Sequence, residues 1–230
     1  MTSSRREFFS GAAEVAPVLV AMVPIGLLWG TLAAGKGLTV FEALLMSTLV
    51  FAGAAQFVAI EMWHDPVPVL LLTATAFIVN VRHVLMSASL SRHIPGIPRA
   101  FHPLVAYLLV DESWALAERR ALTQPVTLAY FLGLAAPLSA CWLITTGIGA
   151  MLGRALGDPS ALGLDFAFSA LFISILMGFW QGRRTAGVLA ASGAVAAATH
   201  LTIEGPWYIV AGGLAGALYA AALPPQRVKI

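Results

Sequence analysis

A polytopic bundle of about eight transmembrane helices, all-α throughout, is the fold this sequence predicts, and three observations predict it. First, 59% of its 230 residues are hydrophobic and only 10% are charged, with a mean hydropathy of +0.86. Soluble domains run at about 45–50% apolar and about 25% charged, so this chain lacks the residues for a water-facing surface. Second, its charge-free runs are long enough to cross a hydrocarbon core, which takes about 20 residues of helix. Third, its basic residues fall unevenly between the ends those helices define.

The elements follow in order. Val15–Gly35 is the first span, Ala43–Ile60 lies between Glu42 and Glu61 as the second, and the run from Pro66 regains apolar character beyond Arg82 through Leu90 as the third. The fourth, Pro103–Ala117, holds Asp111 and Glu112 and is short for a full crossing, so it either spans or re-enters. Ala121–Gly153 carries no charge, and Pro125 marks the helix start just before its fifth span. Residues 165–182, 185–203 and 206–223 complete the eight. That count gathers Arg5, Arg6, Arg119, Arg120, Arg183, Arg184, Arg227 and Lys229 on one side against Lys36, Arg92, Arg99 and Arg154 on the other. Both termini are then expected in the cytoplasm, by the positive-inside tendency.

The whole chain, 1–230, reads as one integral membrane domain. A shift of 123 residues lays Ile25-Gly26-x-x-x-Gly30 on Ile148-Gly149-x-x-x-Gly153 and Glu42 on Asp165, which suggests repeat halves 8–120 and 126–223. Four spans per half make such a repeat parallel, and a re-entrant fourth segment makes it inverted. Gly26/Gly30, Gly149/Gly153, Gly178/Gly182 and Gly212/Gly216 have the spacing that lets helix backbones approach in lipid. Thr39 and Glu42 form a capping box for the second helix, and Asp65 before Pro66 looks like the cap of the third.

Several features mislead. Arg5-Arg6 before an apolar run imitates an export signal, but the run is too long and more spans follow. Gly30 through Gly37 nearly spells a P-loop yet lacks the hydroxyl residue after Lys36. One cysteine, Cys141, excludes internal disulfides and Cys-rich metal sites. The slight basic excess, 13 against 11, does not suggest nucleic acid, and no cofactor motif is present.

Ionisable groups at membrane depth are expensive, which makes each a candidate for function. The third helix carries Asn80, Arg82 and His83, and the fourth Asp111 and Glu112. Asn80, His83 and Ser87 share one helical face, with Arg82 turned about 100° away from His83. A salt bridge from Arg82 to one carboxylate leaves the other free, and histidine can change charge near neutrality. The alternative is a structural ion pair near the membrane boundary. In the second helix, the small residues of Phe51-Ala-Gly-Ala-Ala-Gln56-Phe57 expose backbone, so Gly53, Ala54 and Gln56 suit a broken helix whose amides and carbonyls meet a substrate. Alternatively Gln56 bonds across to a neighbouring helix. His200 and Glu204 read as boundary residues that could join the site, and Phe51, Phe57, Met86 and Trp114 are candidate walls for an aliphatic group.

Taken together, Pro24-Ile25-Gly26, Phe51-Ala-Gly-Ala-Ala-Gln56-Phe57, Asn80-Val-Arg82-His83 and Asp111-Glu112 resemble the AzlC-type branched-chain amino acid permeases, most clearly over residues 8–120. The resemblance continues more loosely through Gly163-Leu-Asp165-Phe-Ala167 and Ala170-Leu-Phe172. It implies an exporter of branched-chain amino acids or analogues in the bacterial inner membrane, working with a small AzlD-type membrane protein. On the residues themselves, a zwitterion needs a cationic or amide cradle at one end and a carboxylate or carbonyl cluster at the other. Gly53, Ala54, Gln56, Asn80, Arg82 and Asp111 offer both, and His83 or Glu112 can carry a coupled proton. The rivals are a channel for a small polar solute, a chain silent without its partner, and an intramembrane enzyme. The enzyme reading finds no HExxH, no G-x-S-x-G and no metal-ligand histidine spacing.

Overall fold

A computed structural model describes residues 3–94, 96–156, 173, 177, 180, 182–203 and 207–224. Described elements are helical: α1 (Ser3–Gly35), α2 (Val40–Val50), α3 (Gly53–Glu61), α4 (Val69–Asn80), α5 (Arg82–Ser91), a 3-10 turn (Arg99–Phe101), α6 (His102–Tyr107), α7 (Asp111–Ala121), α8 (Leu128–Leu156), α9 (Arg183–Thr202) and α10 (Trp207–Ala222). Among the described residues, four helical stretches have the length and apolarity of membrane spans: Ser4–Gly35, Val69–Ser91, Leu128–Gly153 and Arg183–Thr202. The chain is a helical membrane bundle. The sixth expected span, 165–182, lies almost wholly outside the described residues, as do Asp165 and Glu204.

The scaffold is α1 packed along α8. Hydrogen bonds rise together along both helices: Tyr130 Oη donates to Glu14 (2.6 Å), Cys141 Sγ to the Leu19 carbonyl (3.8 Å), and Thr31 Oγ1 to the Gly149 carbonyl (3.1 Å). The two helices are therefore parallel. Glycine makes this approach possible, because a Cβ on Gly30 would strike the Thr146 carbonyl oxygen and one on Gly149 the Leu27 carbonyl oxygen. The two motifs aligned by the 123-residue shift thus pack directly on each other. We call the end where α1 begins the near end and the other the far end.

Parallel α1 and α8 require an odd number of crossings between them, and the polar contacts show a single one. From the far end, α2 descends to mid-depth, where Phe51 adopts a left-handed conformation (φ 36°) and Ala52 an extended one (φ −142°). The chain then reverses. Gln56 Nε2 reaches Ser47 Oγ at 2.9 Å, although nine residues of continuous helix would separate them by about 13 Å. Phe57 packs on Trp29, and Trp63 and Leu38 meet in the same far-end cluster. The second segment, expected to span, is a re-entrant hairpin. Small residues at Ala52–Ala55 and the αL turn at Phe51 let it fold back, and the aromatic ring of Phe51 is held against Tyr107 (5.9 Å).

Next, α4 and α5 cross from far to near as one stretch with a tight turn at Val81. Their start is Val69 and not Pro66, so Asp65 caps nothing. Pro68 disfavours the α conformation at Val67, which would be the second residue of a helix starting at Pro66, so the helix begins only after Pro68. From the near end, α6 climbs to mid-depth, where the Tyr107 hydroxyl donates to the Thr48 carbonyl, and α7 returns. The return is set by Asp111 beside Arg82 at the start of α5 and Glu118 beside Ser89 and His93 at its end. The fourth segment is thus also re-entrant, entering from the opposite end. Val110 is extended (φ −123°, ψ 167°), and the Ser113 hydroxyl accepts its N–H at 2.9 Å.

Two reversals leave the parity of the chain unchanged but move two arginines. Arg92 and Arg99, expected opposite Arg119 and Arg120, lie at the near end with them, and Lys36 lies at the far end. Among the described residues up to 156, Arg5, Arg6, Arg92, Arg99, Arg119 and Arg120 lie at the near end and Lys36 and Arg154 at the far end, a larger asymmetry than the eight-span count gives for the same residues. Toward the C-terminus, α9 and α10 pack antiparallel, with the Arg184 guanidinium donating to the Pro224 carbonyl (2.7 Å) and Gly212 set against Ser192 and Ala196. The Thr39–Glu42 capping box forms as read, with bonds of 2.7 and 3.1 Å.

Candidate functional site

The tips of the two hairpins meet at mid-depth and border a half-open cavity of about 660 Å³, within the range of about 300–1,000 Å³ usual for small-molecule sites. Its wall has two chemistries. One side is apolar: Val18, Met22 and Ile25 of α1, Phe57 of α3, and Leu138 and Trp142 of α8. The other is polar: Arg82, His83, Asp111, Glu112 and the Ala52-Gly53-Ala54 backbone.

Each polar group is there because a helix starts there. Gly53, Ala54 and Ala55 are the first residues of α3, whose N-cap Ala52 offers no side chain, and the first intrahelical bond is Gln56 N–H to the Ala52 carbonyl. The free amides and the positive end of the helix dipole meet at this tip. Asp111 and Glu112 open α7, where carboxylates suit the same dipole. Arg82 opens α5 and donates to Asp111 at 2.6 Å, with the two side chains 35% and 50% exposed. Glu112 has no ion pair among the described residues and lines the cavity beside that pair. One carboxylate is paired and one is free, as the residues implied.

Among the described residues, three buried polar atoms near this pole have no hydrogen-bond partner: Arg82 Nε, Trp114 Nε1 and Asn80 Oδ1. Arg82 and Trp114 both line the cavity, but these two donor atoms are buried behind its surface.

Of the residues expected at a substrate site, the fold brings Gly53, Ala54, Arg82 and Asp111 together, with His83 and Glu112 beside them. Gln56 and Asn80 stand behind this wall. The Asn80 carbonyl meets His83 Nδ1 at 3.2 Å. Gln56 is wholly buried and belongs to a network joining four helices. It donates to Ser47 Oγ (2.9 Å) and accepts from Trp142 Nε1 (3.2 Å), while Ser47 also accepts from Trp29 Nε1 (2.9 Å) and meets Thr146 Oγ1 at 3.3 Å. Gln56 therefore reaches the cavity through the indole of Trp142. Gln56→Leu should lower stability by about 1–3 kcal/mol by orphaning the Trp142 N–H, measured by reversible unfolding in mixed micelles. Unchanged stability would mean that the amide holds nothing.

Phe51, Phe57 and Trp114 line the cavity, whereas Met86 is buried in the near-end core. His200 packs edge-on against Tyr208 (5.2 Å) and does not line it. The sequence reading missed the wall from α1 and α8. The available signal was proline inside both helices, at Pro24 and Pro137, beside the lining residues Ile25 and Leu138.

Comparison with known proteins places the chain in a family. The AzlC protein family matches residues 17–156, which contain both hairpins and every cavity residue. "Inner membrane protein YgaZ" of Escherichia coli is 31% identical over 93% of this chain and 89% of its own length. An "Uncharacterized membrane protein" of Archaeoglobus fulgidus is 30% identical over 92% and 93%. The "Branched-chain amino acid transport protein AzlC" of Bacillus subtilis is 25% identical over 76% and 68%. No solved structure matches the chain. With the family matched across most of the chain and a relative above 30% identity over nearly all of it, the chain belongs to the AzlC family of membrane proteins.

Proposed function

We propose that this chain, acting over its whole length as one transporter domain, carries branched-chain amino acids or close analogues across the bacterial inner membrane. The observation that carries the reading is the two-faced cavity at the meeting of the hairpin tips. Its aliphatic and aromatic wall suits a branched side chain, and its opposite pole suits a zwitterion. The substrate carboxylate lies against the α3 amides at Gly53 and Ala54, with the Arg82 guanidinium. The substrate ammonium lies toward Asp111 and Glu112. Glu112, free of an ion pair among the described residues, or His83 carries a coupled proton. Asn80 and Gln56 position His83 and Trp142. The name of the Bacillus relative supports the substrate class.

Export is the direction we favour, with both termini cytoplasmic. The near end, rich in arginine, then faces the cytoplasm. A small AzlD-type membrane protein completes the working unit. A channel would need a polar path through both ends, whereas the near end is closed by Val15, Ala117, Phe131 and Leu134, each 0% exposed.

The test is flux of radiolabelled leucine or valine in proteoliposomes after a pH jump, with this chain alone and with the small partner. Movement driven by the proton gradient and dependent on the partner is the expected result. If verified liposomes move neither amino acid in either gradient direction, the substrate class is wrong.

A further inference from the structure

A second group of charged residues lies outside the cavity, at the near end, and ties the returning arm of one hairpin to the scaffold. Arg119 Nη2 donates to Glu14 Oε1 (2.5 Å), whose other oxygen accepts from Tyr130 Oη (2.6 Å). Arg120 Nη2 donates to Glu7 Oε2 (2.6 Å), its Nη1 to Ser10 Oγ (3.4 Å), and its guanidinium covers the Tyr130 ring at 4.3 Å. Thus α7 carries cavity carboxylates at its first turn and this cluster at its last. Between the two lies a dry layer of Val15, Ala117, Phe131 and Leu134.

The hairpin is also fastened to α5 at both ends. Arg82–Asp111 joins them at the cavity, and Glu118 with Ser89 (2.5 Å) and His93 (3.3 Å) joins them at the near end. By contrast, α1 and α8 interlock through glycine and cannot separate without losing their packing. The chain is irregular on either side of α7, at 108–110 and 122–127. A short helix flanked by non-helical turns, held to a rigid pair by ion pairs and an apolar layer, can swing as a unit once the ion pairs part.

We propose that Glu7–Arg120 and Glu14–Arg119 are the lock of a near-end gate. When they part, α7 leaves α1 and α8 together with α5, and the cavity opens to the near end. This assignment rests on the transport reading for its purpose, but not for its test. Asp111 and Glu112 open the same helix, so a charged substrate at the cavity pulls on the lever that the lock holds shut.

The test uses the Cys141→Ala chain, which is free of other thiols, with Leu138→Cys as reporter on the scaffold wall of the cavity, where the Leu138 side chain is 0% exposed with the gate shut. A membrane-impermeant maleimide is applied from the near-end side of oriented vesicles. The Arg119→Gln/Arg120→Gln pair should raise the labelling rate about tenfold by shifting the population toward the open state. The charge exchange Glu14→Arg/Arg119→Glu should bring it back towards that of the parent, which separates gate release from misfolding. A labelling rate that stays at the parent value in the double variant overturns the lock, as does failure of the exchange to slow labelling relative to Arg119→Gln. Because the readout needs no amino acid, faster labelling in a protein that moves no leucine would keep the gate and discard the substrate.

Discussion

Arg82→Ala should leave the protein folded and lower amino acid flux about tenfold or more, a loss in keeping with cutting a charged hydrogen bond at a binding site. The two halves of this expectation come from the exposure of the pair. Arg82 and Asp111 are 35% and 50% exposed, and ion pairs that open to solvent contribute about 0–1 kcal/mol to stability. Unfolding is therefore not the route by which the variant fails. Loss of the guanidinium removes the one cation lining the cavity among the described residues and leaves Asp111 and Glu112 as two adjacent carboxylates. A substrate carboxylate would then enter against net negative charge. Arg82→Lys keeps the charge but not the planar fork, so it should recover part of the flux and little of the affinity. The measurement is initial flux against substrate concentration in proteoliposomes, beside a melting curve of the same preparation. Arg82→Ala with parent flux and parent pH dependence would refute the cradle. A collapsed melting curve would instead make Arg82 structural.

Much of this site was readable in the chain, and what was not has a definite physical cause. Charges at membrane depth identify Arg82, His83, Asp111 and Glu112 because lipid leaves them little other purpose. The fold does bring these four to one cavity. The small-residue run beside Phe51 locates a helix break, within two residues of the αL turn. What hydropathy cannot distinguish is a helix that crosses from one that goes halfway and returns, since Ala43–Ile60 has the same charge-free composition either way. The difference is a long-range one, carried by Ser47, Gln56, Trp29 and Trp142 meeting across four helices. Counting both hairpins as spans, although the fourth segment also admits a re-entrant reading, preserves the sidedness of Arg119 and Arg120, because two missing crossings cancel. It misplaces Arg92 and Arg99, which lie between them. The apolar wall was hidden for another reason: Val18, Met22 and Leu138 look like any lipid-facing residue until their helix partners are known.

Gly149→Leu should give no folded protein, the largest effect expected of any single change outside the polar site. A Cβ at Gly149 collides with backbone of Leu27 and one at Gly30 with backbone of Thr146. Backbone in a packed helix cannot step aside as a side chain can, so the helices must separate. That separation loses the Thr31–Gly149 hydrogen bond, buried at 3.1 Å, and dispersion contacts along the crossing, which supply helix association where lipid removes the hydrophobic drive. Overpacking costs about 1–3 kcal/mol even where side chains can relax, and here they cannot. Gly147 is the internal control: it lies on the same helix two residues away, and its added Cβ would meet only Leu44 Cδ2 at 3.6 Å. Gly147→Ala should be neutral or stabilising, since alanine is favoured over glycine inside a helix by about 0.5–1 kcal/mol, while Gly149→Ala should already weaken the fold. The measurement is the yield of monodisperse protein after detergent extraction, with flux on whatever survives. Equal yields for the two alanine variants would show that α1 and α8 do not meet through glycine. The cavity wall would then need another origin, because Val18, Met22 and Ile25 face Leu138 and Trp142 across that same crossing. The packing of two helices and the shape of the binding site are therefore one property, and a change that touches neither charge nor cavity can abolish both.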